Sequence, residues 1–128
     1  MGSFKDLKVW QAGIRLVREV YKVCRELPNY ERRSLCDQLR RAAVSVPSNI
    51  AEGFSRHNPK EFSHFLLIAK GSLAEVETQL IVCEELEFVK PEQVRHLYPL
   101  IESLNRMLYS LVLAQKQPTN TDSRRTNG

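Results

Sequence analysis

The sequence contains no long hydrophobic run: none approaches the roughly 18 residues of a membrane span, and the first residues lack the basic-then-apolar layout of a secretory signal. The chain therefore reads as cytoplasmic, with no membrane partner. Gly2 does not open a myristoylation motif, because Asp6 holds the position that needs Ser or Thr. Cysteine is scarce and odd in number; Cys24, Cys36 and Cys83 lie far apart in the chain, which suits neither a disulfide framework nor a zinc pattern. Each lies on or beside an apolar helical stripe with no cationic or helix-start surroundings, so reduced core thiols are expected rather than a nucleophile. No glycine-rich stretch could cradle a phosphate. Histidine is sparse as well. None stands at a useful spacing from Ser45, Ser48 and Glu52, which removes local support for a hydrolase triad. Glu61 and His64 have the Glu-x-x-His spacing of di-iron bundles, with His57 one turn earlier. A second Glu-x-x-His is missing, however, and Glu92 with His96 has a different spacing, so neither a metal nor another cofactor is expected. Helix-turn-helix and RNA-recognition signatures are absent too, which argues against sequence-specific readout.

What the sequence does contain is helical periodicity. An apolar fraction of 42% in 128 residues suffices for one domain with a real core. From about Asp6 to Leu27, Leu7, Trp10, Ile14, Val17, Tyr21 and Cys24 repeat at three-four spacing. Val9, Leu16, Val20, Val23 and Leu27 form a second stripe about 100° away. Lys8, Arg15, Arg18, Lys22 and Arg25 share another edge with Gln11, either as a solvated face or as a ridge for phosphates. Pro28-Asn29-Tyr30 breaks the pattern, and Asn29 is placed to cap a second helix that runs to Gly53. Asn58-Pro59-Lys60-Glu61 then reads as a cap, a proline in the first turn and a carboxylate able to reach back. The third helix follows to about Phe88, with Phe62, Leu66, Ala69, Leu73, Val76, Leu80 and Cys83 toward the core.

That helix also carries a sparser stripe, Leu67, Gly71, Ala74, Ile81 and Phe88, which is a candidate subunit interface unless these are ordinary isolated surface residues. Glu84, Glu85 and Glu87 sit at its C-terminal end, where the dipole disfavours anions, so cationic neighbours are expected. Pro91 opens a fourth helix with Val94, Leu97, Ile101, Leu104, Leu108 and Leu111 inward and Pro99 bending its early turns. Short connections between helices give antiparallel neighbours. The expected fold is all-α, an antiparallel up-down four-helix bundle over residues 1–116, with a disordered polar tail at 117–128.

The chain is organised around Gln38–Arg56. Leu39, Ala42, Ala43, Val46, Ile50 and Phe54 recur at helical spacing although Pro47 stands among them, so a kink is expected there. Arg41, Ser45, Ser48, Glu52 and Arg56 form a polar stripe with Asn49 beside it, and Ser or Asn side chains could satisfy carbonyls that Pro47 leaves free. Gly53 suggests a helix end or a close approach by another helix.

The run Ser45-Val46-Pro47-Ser48-Asn49-Ile50-Ala51-Glu52-Gly53, preceded by Gln38-Leu39-Arg40-Arg41-Ala42-Ala43, closely resembles the signature of a family of small bacterial four-helix-bundle proteins. That family is first known from intervening sequences in 23S ribosomal RNA genes. Phe4-Lys5-Asp6-Leu7 with Val9-Trp10-Gln11 is similar to the family's opening, and Glu61-Phe62 to Ala69 with Gly71-Ser72-Leu73-Ala74-Glu75 is similar to its third helix. The family resembles in fold the accessory variability proteins of diversity-generating retroelements. That resemblance implies a ring-shaped homopentamer that binds nucleic acid and a reverse transcriptase.

Charge is unevenly spread. Residues 1–57 hold 11 Lys or Arg against 6 Asp or Glu, net +5, whereas residues 58–128 hold 8 against 9, net −1. A scaffold that holds a polyanion on its basic half follows, and a ring would repeat that excess. The expected function is therefore a non-enzymatic homo-oligomer that binds RNA or DNA, most naturally structured RNA, with a reverse transcriptase as a possible protein partner. Lys8, Arg15, Arg18, Lys22, Arg25, Arg40 and Arg41 are the nucleic-acid candidates. Ser45, Pro47, Ser48, Asn49, Glu52, Gly53 and Arg56 are assigned to the kink and to a helix or subunit contact. The alternative is a purely structural protein-interaction module without a nucleic-acid role.

Overall fold

The computed structural model describes residues 2–116, and every regular element among them is helical. The tail at 117–128 lies outside the described residues. Four long helices carry the fold: α1 (Lys8–Cys24), α2 (Leu35–Ser55), α3 (Pro59–Glu85) and α4 (Leu97–Lys116). Each packs on the next and α4 closes back on α1, which makes the up-down four-helix bundle. The α2–α3 pair is the most extensive.

One core runs the length of the bundle. Leu16, Leu39, Ile50, Leu66, Leu73, Leu80, Leu97, Ile101, Leu104 and Leu108 are all fully buried in it. On α1 the two apolar stripes are buried unequally, though Cys24 at the end of the first is fully inside. Val9, Leu16, Val20 and Val23 are buried, whereas Trp10, Ile14 and Val17 are half-buried and Tyr21 is 40% exposed. Along that stripe Trp10 meets the Phe4 ring, Trp10 and Val17 pack against the core, and Tyr21 lies beside Arg40 of α2.

Local chemistry explains where the helices begin and end. Ser3 Oγ accepts from the Lys5 N–H at 3.1 Å and Asp6 Oδ2 accepts from the Ser3 N–H at 3.2 Å, so residues 4–6 form a separate 3-10 turn and α1 starts at Lys8 rather than Asp6. Asn29 does not cap α2. It is the first residue of a one-turn helix (Asn29–Arg32) that Pro28 precedes, and Arg32 Nε donates to the Cys24 carbonyl at the end of α1 at 3.1 Å. At α3, Asn58 Oδ1 accepts from the Glu61 N–H at 3.0 Å as expected, but the Glu61 carboxylate turns to Arg56 at 3.6 Å rather than back to the cap.

The C-terminus of α3 closes with the N–H of Glu87 on the Glu84 carbonyl at 3.0 Å and that of Phe88 on the Cys83 carbonyl at 2.9 Å. Glu87 takes φ 59° in this motif, a position usually given to glycine. The turn sends Phe88 back against the core, so Phe88 leaves the outer stripe assigned to it. Tyr98 then donates its hydroxyl to Glu84. Burial first, and Glu84 second, raise the Tyr98 pKa, which keeps that donor protonated. Cationic partners for Glu84, Glu85 and Glu87 are not found among the described residues. The fourth helix is split into a turn (Pro91–Val94) and α4. Pro99 falls in the first turn of α4, where a missing N–H breaks no intrahelical bond. Val112 takes the inward place expected of Leu111, which is only half-buried.

Candidate nucleic-acid interface

The α1 cations stand on the side of the helix opposite Leu16, Val20 and Val23. Arg15, Arg18, Lys22 and Arg25 are exposed there. Lys22 pairs with Glu19 at 3.2 Å, whereas Arg15, Arg18 and Arg25 have no carboxylate within 4.0 Å among the described residues. Glu19 on α1 and Glu26 just beyond it are tied to the segment that leads into α4. His96 Nε2 lies 2.9 Å from Glu19 Oε1, and Gln93 Nε2 donates to Glu26 beyond α1 at 3.3 Å. Burial alone would raise the Glu19 pKa, but the hydrogen bonds and charges of His96 and Lys22 outweigh it and hold the carboxyl below its ordinary 4.5. The anions thus face the α4 end of the bundle while the cations face outward. Lys8 stands apart, on a groove of about 500 Å³ that Leu7, Val9, Arg106 and Met107 also line.

Arg40 and Arg41 join the ridge through Tyr21. The Arg40 guanidinium lies over the Tyr21 ring, 5.5 Å from its centroid, and Asp37 Oδ1 holds Arg40 Nη2 at 2.7 Å. Arg41 is exposed and has no ion pair among the described residues. Between α1 and α2 these side chains, with Val44 and Ser45, line a cleft of about 380 Å³. Sequence reasoning assigned Tyr21 to an apolar stripe only. The missed signal was a tyrosine one turn after Arg18 and one turn before Arg25, at the edge of a basic face.

The signature residues of α2 divide by the side they face. Pro47 is buried and α2 continues through it. The ring is admitted by α1: a Cβ at Gly13 would stand 3.2 Å from Pro47 Cβ, so glycine provides the room. Asn49 Nδ2 donates to the Ser45 carbonyl and to Ser45 Oγ, both at 2.8 Å, and not to the carbonyl of Ala43 that Pro47 leaves free. Ser45 Oγ, which accepts from Asn49, also shares a hydrogen bond with Ser72 Oγ on α3, 2.8 Å away. A polar chain therefore links α2 to α3, beside a groove that Gln38, Arg41, Glu75 and Gln79 also line.

Gly53, in the last turn of α2, marks a close approach of α3. An added Cβ would stand 2.7 Å from Phe65 Cβ. Arg56 pairs with Glu52 at 3.1 Å and lies over the Phe65 ring at 5.2 Å. Ser45, Pro47, Asn49, Gly53 and Arg56 thus make helix contacts within the chain, while Ser48 is exposed.

The residues weighed for catalysis do not assemble. His57 sits in the left-handed turn after α2 at φ 54°, and His64 is exposed with its ring edge-on to Phe65 at 5.3 Å. Among the described residues, no group of three or more His, Cys, Asp or Glu side chains is gathered to hold a metal ion. Cys24, Cys36 and Cys83 are free and buried. Burial pushes the Cys83 thiol up to about 11 and, together with the adjacent Cys36, raises Cys24 as well. Such thiols stay protonated, and the Cys36 thiol serves instead as a donor to the Cys24 carbonyl at 3.4 Å.

A second outward face is apolar. On α3, Leu67 is 52% and Ile81 45% exposed, with Gly71 and Ala74 exposed between them. Across the seam with α4, Lys70 Nζ lies 5.8 Å from the centroid of Tyr109, itself 56% exposed. Among the described residues no helix is long and apolar enough to cross a membrane.

Fold and faces together define a class: a small all-helical bundle whose distinctive chemistry lies on its outer surfaces. Within that class the chain belongs to the 23S rRNA-intervening sequence protein family, whose family model matches residues 5–110. A crystal structure from Bacteroides thetaiotaomicron, described as a protein of unknown function from the S23 ribosomal protein family, is similar in fold. Its TM-score is 0.74 at 21% sequence identity, over 81% of this chain and 97% of that one. No curated protein matches the chain.

Proposed function

We propose that the protein is a non-enzymatic, homo-oligomeric scaffold that holds nucleic acid, structured RNA in particular, on the face shared by α1 and α2. The observation that carries this reading is the set of exposed arginines, Arg15, Arg18, Arg25 and Arg41, without carboxylate partners among the described residues. Cations left outward in this way are available to displace counterions from a phosphate backbone, and the resulting affinity falls steeply with salt. The apolar outer face of α3 supports the homo-oligomeric part, and a ring of copies would multiply each cationic face. A reverse transcriptase as protein partner is part of the same reading and draws on the family resemblance.

The exposed apolar strip also favours a second reading, a protein-interaction module with no nucleic-acid role. Fluorescence anisotropy with labelled structured RNA and duplex DNA separates the two, using the full chain and the triple variant Arg15→Glu, Arg18→Glu, Lys22→Glu at several salt concentrations. We expect binding that weakens linearly on a log–log salt plot. The triple variant should lower affinity by about 100-fold or more and flatten the slope, at just under one unit per lost phosphate contact. Tight binding that ignores salt and the three reversals, or no binding at low salt, would leave the interaction module standing.

A further inference from the structure

We infer that the cleft between α1 and α2 takes one unpaired nucleotide, its base stacked on the Arg40 guanidinium that Tyr21 backs and its phosphate on Arg41. This deepens the nucleic-acid reading above and rests on it. Tyr21 is 40% exposed in a helix whose outer side is otherwise cationic, and its ring lies under a guanidinium that a second residue fixes. Asp37 grips one edge of Arg40 at 2.7 Å, so the planar cation is oriented before any ligand arrives. That hydrogen bond, opposed only by slight burial, raises the Arg40 pKa further.

The remaining walls suit the same ligand. Val44, 40% exposed, offers an apolar side. Asp37, the one carboxylate that lines the cleft among the described residues, is already engaged by Arg40. Arg41 lines the cleft and carries an exposed charge, with Arg18, Lys22 and Arg25 exposed on the neighbouring face of α1 for flanking phosphates. A paired base cannot enter, because its faces are covered by its neighbours in the duplex. A loop, bulge or single strand can splay one base out onto an aromatic or arginine plane. The cleft therefore discriminates strandedness while the α1 ridge does not.

The test uses the full chain and compares anisotropy of a labelled single-stranded RNA with that of a fully paired RNA duplex of equal length, at one salt concentration. Tyr21→Leu removes the ring but keeps an apolar side chain, and Arg40→Lys keeps the charge but removes the plane. Each should weaken single-strand binding about tenfold, the scale of one lost base stack. Duplex binding should change by less than about twofold, since the phosphate contacts persist. Tyr21→Phe should match the wild type on both RNAs. Wild-type affinity for the single strand in both Tyr21→Leu and Arg40→Lys would overturn the inference while leaving the nucleic-acid reading intact, as would equal losses on both RNAs. Failure of the unmodified protein to bind either RNA would overturn the nucleic-acid reading itself. Should Tyr21→Leu disturb the fold, as thermal melting would reveal, Arg40→Lys alone decides.

Discussion

Helices α1 and α3 each turn a full side away from the core, and the two sides are chemically opposite. α1 presents Arg15, Arg18, Lys22 and Arg25, whereas α3 presents Leu67, Gly71, Ala74 and Ile81. A four-helix core needs one apolar stripe from each helix and sets no condition on the rest. The outer residues are therefore where a bundle's particular role is written. Charge on α1 keeps that side in water or against a polyanion. Apolar side chains on the outer side of α3 instead leave exposed surface of the kind that the proposed self-association would bury.

The largest effect that would sharpen this contrast is on assembly. If the proposed oligomer forms through this face, Leu67→Glu with Ile81→Glu should convert it to monomers, because carboxylates would have to be desolvated in the contact. Light scattering on the separated protein reads the mass directly. The α1 reversals should leave that mass unchanged. A wild type that is already monomeric, or a mass that follows the α1 charges instead, would break the comparison by making the α3 face an ordinary surface.

A smaller effect separates glycines that face inward from one that faces out. At Gly53 an alanine Cβ would meet Phe65 Cβ at 2.7 Å and Phe62 Cδ1 at 3.0 Å, so α2 and α3 must move apart. Gly53→Ala should lower the unfolding free energy by about 1–3 kcal/mol, the usual range for overpacking. At Gly71 no described residue lies within 4 Å of the added carbon. In the dissociated chain Gly71→Ala should therefore gain up to about 1 kcal/mol from helix propensity alone. In the oligomer the same methyl should weaken association if a second copy comes close there, and mass measured against dilution would show it. Stabilisation with undiminished assembly would place the contact elsewhere.

The sequence was legible wherever periodicity or local capping decides the outcome. The four helices, the Asn58 cap and the inward stripe of α3 all follow from spacing. Contacts between helices were not, because spacing names a side of a helix but not its neighbour. Nothing in the order of residues says that Gly13 admits Pro47, or that Ser45 reaches Ser72. Two helix ends were also illegible, since His57 and Glu87 occupy left-handed positions that the glycine rule assigns elsewhere. At the candidate site the cations were readable as a stripe, and Arg40 and Arg41 from composition. Their union through Tyr21 depended on which of two apolar stripes faces the core, and the bundle, not the helix, decides that.

The smallest effect tests why the α1 cations stand free at all. Glu19 lies within one turn of Arg15, Arg18 and Lys22, but its two carboxylate oxygens go to His96 at 2.9 Å and to Lys22 at 3.2 Å, not to the arginines. Its carboxyl is held below 4.5 in the fold, so folding favours the charged form. The tie therefore contributes fully above the unfolded value and is lost as pH falls through the lower folded one. Glu19→Gln should cost less than about 1 kcal/mol at pH 7, the usual ceiling for a pair at a surface. Urea midpoints of wild type and variant should then converge as pH drops below about 4.5, once both side chains are uncharged. A gap that persists unchanged into acid would mean that Glu19 acts through packing. The outward freedom of the arginines would then owe nothing to the pull of His96 on the nearest acid.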